Sequence, residues 1–142
     1  MTNLTVIDCE LCNAVGGQLL WRDDFARVVL IDDSDYPGFC RVILNQHAKE
    51  MTDLSDGERS RLMGLVFAVE RVVRELAAPD KVNLASFGNA VPHLHWHVIP
   101  RWTNDKNFPH PIWANAMRES VARKAPNSDA YARRLQELLT TD

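Results

Sequence analysis

The chain has 142 residues, of which 46% are hydrophobic and 25% are charged. Its 16 Lys and Arg residues and 19 Asp and Glu residues give a formal net charge of -3, so we expect no general affinity for nucleic acid or for an anionic membrane. The longest apolar runs, at 28–31 and 65–69, are far shorter than the ~18 to 20 residues that a membrane span needs. Residues 1–8 show no secretory signal, which predicts a protein of the reducing cytoplasm.

Nothing in the composition divides the chain. No repeat is present, and no linker rich in Ser, Gly or Pro interrupts it. The sequence therefore predicts a single domain over residues 1–142, with a core of about 9–101 and a C-terminal extension of about 102–142.

Three strands are predicted first, over residues 18–21, 25–31 and 39–45, because each run is rich in β-branched or aromatic residues. The polar connection 22–24 suits a hairpin, and the segment 32–38 supplies the Asp, Pro and Gly residues of a longer turn.

The clearest helix follows a capping box, in which Ser55 and Glu58 would each satisfy a free backbone N–H group. Pro79 lies beyond its end and cannot continue a helix. Between them, apolar residues recur with a period near 3.6 in one stripe that must face a core, at Leu62, Leu65, Val66, Val69, Val72, Val73 and Leu76.

Two further strands are predicted over residues 82–87 and 94–99. The order β-β-β-α-β-β indicates an α+β fold, with an antiparallel sheet of about five strands and one long helix packed on it. Short C-terminal helices complete the prediction: residues 113–124 have weak helical periodicity, and Ser128 and Asp129 would cap a last helix.

Three of the five histidines fall within five residues, at His93, His95 and His97. In a strand they share one face, while the apolar residues between them point to the other. A row of imidazoles can supply a nucleophile, a general acid or base, or metal ligands. Consecutive positions on one face are ~6.6 Å apart, so two of the three histidines could reach one catalytic zinc, but hardly all three. A solvent-exposed strand without function is the plain alternative.

The run His93-Leu94-His95-Trp96-His97-Val98-Ile99 resembles the signature of the histidine-triad (HIT) superfamily of nucleotide hydrolases and transferases. The resemblance extends from about Cys9 to Arg101. In such proteins the middle histidine attacks the α-phosphate of a nucleotide and forms a nucleotidyl-histidine intermediate, which implies that His95 is the nucleophile. His97 would donate a hydrogen bond to a phosphate oxygen or share a proton with the leaving group.

The same resemblance implies nucleotide-binding roles for Asp32, Asn83 and Asn89, besides His97. Asp32 matches an acidic position that binds ribose hydroxyls, although it would equally serve as a turn cap. The superfamily more often has Gln at the position of Asn89 and a hydroxyl residue next to it. Here Ala90 follows, so a proton donor to the leaving group is missing or comes from elsewhere.

Cys9 and Cys12 have a spacing that metal sites, redox pairs and plain buried cysteines share. In several branches of the superfamily such a pair binds zinc together with histidines at the positions of His47 and His93. The resemblance therefore implies a structural zinc with a Cys₂His₂ ligand set, which leaves no open position for water. Cys40, which lies among apolar neighbours, is expected to be a buried small hydrophobe.

The sequence thus predicts a HIT-type hydrolase or transferase that cleaves a phosphoanhydride or phosphoramidate at the α-phosphate of a nucleotide, with a purine nucleoside phosphate as the expected substrate. A non-catalytic, zinc-stabilised nucleotide-binding module and a catalytic metallohydrolase remain alternatives. Proteins that resemble this chain are often homodimers. The loop 101–113 would either fold over the base or leaving group, or pack on the core or a second subunit.

Overall fold

Five strands form one antiparallel sheet with the order β1-β2-β3-β5-β4 in the computed structural model, which describes residues 5–140. The predicted α+β fold with about five antiparallel strands is confirmed. The strands are β1 (Gln18–Arg22), β2 (Ala26–Leu30), β3 (Cys40–Leu44), β4 (Lys81–Ala85) and β5 (His95–Arg101).

Three α-helices accompany the sheet in the described residues, together with a short 3₁₀ helix at Met51–Asp53. They are α1 (Glu10–Asn13), α2 (Asp56–Leu76) and α3 (Ser128–Leu139). Within residues 5–140, no helix has both the length and the apolar character that crossing a membrane requires.

The long helix α2 begins at the predicted capping box. Ser55 Oγ accepts a hydrogen bond from the Glu58 backbone N–H at 3.2 Å, and the Glu58 carboxylate accepts one from the Ser55 N–H at 2.8 Å. The apolar stripe of α2 is buried against the sheet, except that Leu76 at its end is 39% exposed. The core formed in this way includes Val28, Val42 and Val98 from the three central strands.

The C-terminal region corrects two predictions. No helix forms over residues 113–124, because the chain there is held by contacts with the preceding loop: Asn107 donates to the Ala114 carbonyl, and Arg118 donates to the carbonyls of Asp105 and Phe108. The last helix does form, but its N-cap is Asn127, whose side chain accepts from the Ala130 N–H at 3.0 Å.

The two faces of the sheet differ in character. Helix α2 covers the face with Val42 and Val98, and α3 packs against α2 and β1. On the opposite face Arg41 of β3 pairs with His97 of β5, and Ile43 pairs with His95. Paired residues of antiparallel strands share a face, so the imidazoles of β5 lie beside Arg41 and Ile43 of β3, away from α2.

Candidate active site and metal cluster

Strand β5 presents His95 and His97 next to each other, with ring centroids 4.9 Å apart. Both side chains line a cleft of about 480 Å³, although they are only 7% and 5% exposed. Helix α1 contributes Glu10 and the loop after β4 contributes Phe87 to the walls of this cleft. The face of the sheet opposite α2 therefore carries two sheltered imidazoles that open into a cavity.

The orientation of His95 is fixed by the chain itself. Its Nδ1 lies 2.6 Å from the backbone carbonyl of His93. A carbonyl oxygen only accepts hydrogen bonds, so Nδ1 carries the proton and the lone pair is on Nε2. Burial lowers the pKa of His95, and the nearby positive charge of Arg41 acts in the same direction, against the hydrogen bond to His93. The ring is thus held as a neutral imidazole with a free nucleophilic nitrogen.

His97 lies in a tighter environment than His95. Its ring packs 5.8 Å from that of Phe39 and 5.0 Å from that of Trp113, measured between centroids. Burial, then His95 and Arg41, lower the pKa of His97 to about 3. Among the described residues its buried Nδ1 has no hydrogen-bond partner. A buried polar atom without a partner costs stability, and a ligand in the cleft can supply one.

Four side chains from distant parts of the chain meet at the other end of the triad segment. They can hold a metal ion, since one ligand atom from each lies within 4.8 Å of all the others, and they are Cys9, Cys12, His47 and His93. The Sγ atoms of Cys9 and Cys12 lie 3.3 and 3.5 Å from Nδ1 of His93, and Cys12 Sγ lies 3.4 Å from Nδ1 of His47. Two such ligands on one tetrahedral zinc are about 3.5 Å apart, so the donor set and its spacing fit that ion.

The ring of His93 is oriented for this cluster by the sheet. Its Nε2 lies 2.7 Å from the Leu44 carbonyl and so carries the proton, which leaves Nδ1 free to bind a metal. His93 is fully buried, and its own carbonyl accepts the hydrogen bond from His95. His93 therefore contributes its ring to the cluster and its carbonyl to the orientation of His95.

Arg27 of β2 attaches residues 9–15, here called the cysteine segment, to the sheet. It donates from Nε to the Val15 carbonyl at 2.8 Å, and from Nη2 to the carbonyls of Leu11 and Ala14 at 2.7 and 3.0 Å. These carbonyls belong to α1 and the residues after it, which follow Cys9 directly. Sequence reasoning did not identify Arg27, although a lone arginine between apolar residues of a strand is a signal of this kind of role.

The loop after β5 is built on a buried ion pair. Arg101 donates from Nε to Asp105 at 2.8 Å, from Nη1 to Asn83 at 2.7 Å, and from Nη2 to the His110 carbonyl at 2.6 Å. The loop brings Trp113 to the cleft, where its ring lies 5.1 Å from that of Phe87 and contacts His97. Trp113 thus lines the cleft, while Trp102 and Ile112 of the same loop pack on a small core with Tyr36, Phe39 and Ile99.

Residues 15–104 match the HIT domain family. The chain belongs to this family. The resemblance that the triad segment indicates is therefore confirmed, and the residues of both the cleft and the metal cluster lie in or next to the HIT domain.

Relatives of known name cover part of the chain. It is 33% identical over 78 residues to an AP-4-A phosphorylase of Mycobacterium tuberculosis, a match of 51% of this chain and 40% of that protein. It is 27% identical over 92 residues to a bis(5'-nucleosyl)-tetraphosphatase (asymmetrical) of Schizosaccharomyces pombe, which covers 61% of this chain and 50% of that one. The chain thus spans about half the length of these relatives or less.

A solved structure supports the HIT fold over most of the chain. A histidine triad protein from Bradyrhizobium japonicum superposes with a TM-score of 0.68 and 28% identity, over 86% of this chain and 91% of that one.

The structure does not bring the three other residues predicted to bind nucleotide into one cleft. Asn89 lines the cleft with His95 and His97. Asn83 lines a second cleft of about 320 Å³, which shares Phe87 and Trp113 with the first, and its side-chain oxygen is engaged by Arg101. Asp32 is exposed in the turn after β2 and lines neither cleft.

The cleft residues that sequence reasoning missed include Arg41, Glu10 and Phe87. Arg41 carried a usable signal, because it is a charged residue in the middle of an apolar strand of the HIT domain. Glu10 and Phe87 carried none, because their positions depend on how α1 and the loop after β4 meet the sheet.

The environment of His97 predicts a pH effect on stability. In the unfolded chain His97 binds a proton with its ordinary pKa of 6.5, whereas in the folded chain its pKa is about 3. The folded state therefore loses stability as pH falls through this window. Between about pH 7 and pH 4.5, His97→Asn should lose roughly 2 kcal/mol less of its free energy of unfolding than the wild type, measured by urea denaturation.

The matched control is His110→Asn, which changes an exposed histidine. It should show the wild-type dependence on pH. Parallel curves for the wild type and His97→Asn would contradict the burial argument.

Proposed function

We propose that the protein is a nucleotide hydrolase or transferase that cleaves a phosphoanhydride or phosphoramidate at the α-phosphate of a nucleotide, through a nucleotidyl intermediate on His95. The observation that carries this proposal is the hydrogen bond from His95 Nδ1 to the His93 carbonyl at 2.6 Å, which leaves Nε2 as a nucleophile in the cleft. Membership of the HIT family and relatives with nucleotide-cleaving names support it.

The reaction proceeds in two displacements. In the first, the lone pair of His95 Nε2 attacks the α-phosphorus, and the bond to the leaving atom breaks with its electron pair on that atom. The ring becomes positively charged, and the His93 carbonyl stabilises this charge through the proton on Nδ1. In the second, water attacks the phosphorus, the N–P bond breaks with its pair returning to Nε2, and the proton of the water passes to solvent.

The cleft residues assist by binding the phosphate. His97 and Asn89 line the cleft and are proposed to donate hydrogen bonds to its oxygens. The second cleft, with Ile99 and Ile112 in its apolar wall, is proposed to take the base and sugar, near Asn83. Asp32 retains its predicted role with the ribose as a proposal, and its exposed position demands that substrate reach the turn after β2.

We propose that the cluster of Cys9, Cys12, His47 and His93 binds a structural zinc. Two thiolates and two imidazoles fill a tetrahedral zinc, so the ion supplies cross-linking and no reactive water. The four ligands join the segment of α1 to the ends of β3 and β5.

The zinc proposal predicts a loss of metal and stability in Cys12→Ser. The wild type should contain about one zinc per chain by elemental analysis, and the variant much less. Because binding to the folded state stabilises it, Tm should fall by about 10 °C in the variant or after chelation. Cys40→Ala, which changes a cysteine outside the cluster, should keep the metal. A zinc-free wild type, or an unchanged metal content in Cys12→Ser, would contradict the proposal.

Mass spectrometry of the protein mixed with adenylated and guanylated substrates tests the function itself. We expect a covalent nucleotide on the peptide that contains His95, together with released product. Nucleotide binding without adduct or product from any substrate would support the non-catalytic module instead. Activity that chelation abolishes while the fold stays intact would support a catalytic metal.

The single domain, the homodimer and the cytoplasmic location are retained as proposals. The burial of Tyr131 and Leu135 of α3 in the same core as α2 supports one domain. Sedimentation of the purified protein tests the homodimer, and fractionation of cells tests the location.

A further inference from the structure

Arg41 lies beside the triad histidines in strand β3. Its cross-strand partner is His97, and the next residue on the same face, Ile43, pairs with His95. Cβ atoms of paired residues are about 5 Å apart, so a long arginine side chain on this face reaches the space in front of both imidazoles. Arg41 lines the cleft together with them.

The guanidinium of Arg41 has no hydrogen-bond partner. Its Nε is buried and unpaired, and within residues 5–140 neither a hydrogen bond nor an ion pair of this side chain is found. The guanidinium lies over the ring of Phe39 instead, in a cation–π contact with 5.8 Å between the guanidinium carbon and the ring centroid. Burial lowers the pKa of Arg41, against the attraction of Glu10 in the same cleft.

The two buried arginines of the described chain show how such groups are usually satisfied. Arg27 and Arg101 each use all three guanidinium nitrogens in hydrogen bonds to the protein. Arg41 differs from them in that it is half-buried and faces a cleft. A half-buried charge with a buried, unpaired nitrogen is costly, and its presence beside His95 and His97 points to an anionic ligand in the cleft that pairs with it.

The lining of the cleft indicates which part of a substrate this anion is. Among the described residues that line it there is no Ser, Thr, Tyr or Lys to give a proton to a leaving group, and burial lowers the pKa of His97 to about 3, so that this imidazole holds no second proton at neutral pH. An amine that leaves from phosphorus must take up a proton as it departs, whereas a phosphate leaves as an anion. A guanidinium that faces the cleft stabilises such an anion through paired N–H donors.

We propose that Arg41 binds the phosphate that departs from the α-phosphorus, and that it makes the protein selective for phosphoanhydrides over phosphoramidates. This inference rests on the proposed function. As the bond from His95 Nε2 to phosphorus forms, the bridging P–O bond breaks and its electron pair stays on the bridging oxygen. The negative charge of the departing phosphate is balanced by Arg41, and no proton is transferred. The substrate class is therefore a nucleoside or dinucleoside polyphosphate.

Steady-state kinetics with two substrates tests the proposal. The full chain is assayed on diadenosine tetraphosphate, an anhydride, and on adenosine 5'-phosphoramidate, whose leaving group is an amine. For Arg41→Met we expect kcat/KM on the anhydride to fall by about 10² to 10³-fold, and kcat/KM on the phosphoramidate to stay within about threefold. Arg41→Lys should recover part of the anhydride activity, because it restores the charge without the paired donors.

The control is Arg133→Met, which removes the same charge from an exposed position on α3, on the other side of the sheet from the cleft. It should behave as the wild type. Equal losses on both substrates, or no loss, would overturn the inference, as would a wild type that prefers the phosphoramidate. If Arg41→Met does not fold by circular dichroism, the Arg41→Lys variant and the wild-type preference decide. A wild type that turns over neither substrate overturns the proposed function, and the inference with it.

Discussion

Replacing His95 with alanine is expected to lower kcat by at least about 10³-fold, whichever nucleotide proves to be the substrate. In the proposed mechanism the loss is large, because the imidazole forms the covalent bond in the first displacement and leaves in the second. The assay is product release followed by chromatography. Intact-mass spectrometry of the same samples should show the nucleotide adduct in the wild type and none in the variant.

Two comparisons make the result specific. His110→Ala, which removes an exposed histidine, should retain wild-type turnover. Nucleotide binding by His95→Ala, measured by calorimetry, should stay within a few-fold of the wild type, since the other cleft residues are unchanged. Retained turnover in His95→Ala would rule out the covalent mechanism.

Replacing Asp105 with alanine is expected to lower the free energy of unfolding by about 3 to 5 kcal/mol, because it leaves the buried charge of Arg101 without its partner. The two side chains are 0% and 2% exposed, respectively. Burial raises the pKa of Asp105, but hydrogen bonds from Arg101 and from three backbone N–H groups outweigh it and bring the pKa to about 2. The carboxylate is thus charged and bonded at neutral pH.

Urea denaturation measures this effect, with Asp8→Ala as the control at an exposed position. Asp105→Ala should also raise KM, because the loop that Asp105 organises carries Trp113 to the cleft. A change in stability below about 1 kcal/mol would show that the ion pair adds little. An unchanged KM would show that Trp113 is placed independently of it.

The parts of the fold that could be predicted from the sequence depend on local signals. The capping box at Ser55 and the apolar stripe of α2 are written within single stretches of chain, and both are present. The alternation around His95 likewise indicated a strand with three imidazoles on one face, and β5 has this arrangement for His95 and His97, whereas His93 lies in a bend before the strand. The strand ends moved by one or two residues, since they depend on which neighbour each backbone group meets.

The parts that could not be predicted depend on contacts between distant residues. Weak periodicity suggested a helix over residues 113–124, but side chains of Asn107 and Arg118 fix that stretch to the preceding loop. The roles of Arg27 and Arg41 also follow from which segment covers each half of the sheet face. The cysteine segment covers one half of this face and accepts the hydrogen bonds of Arg27. The other half, with Arg41, stays open as the cleft.

His93 belongs to the metal cluster and also orients the imidazole of His95. Its ring faces the two cysteines, and its carbonyl fixes the tautomer of His95. A substitution that loosened the cysteine segment would let this carbonyl move, and Nε2 of His95 would lose its orientation although every group that lines the cleft was intact. If either cysteine were lost during evolution, another contact would therefore have to hold His93 in place for the orientation of His95 to be kept.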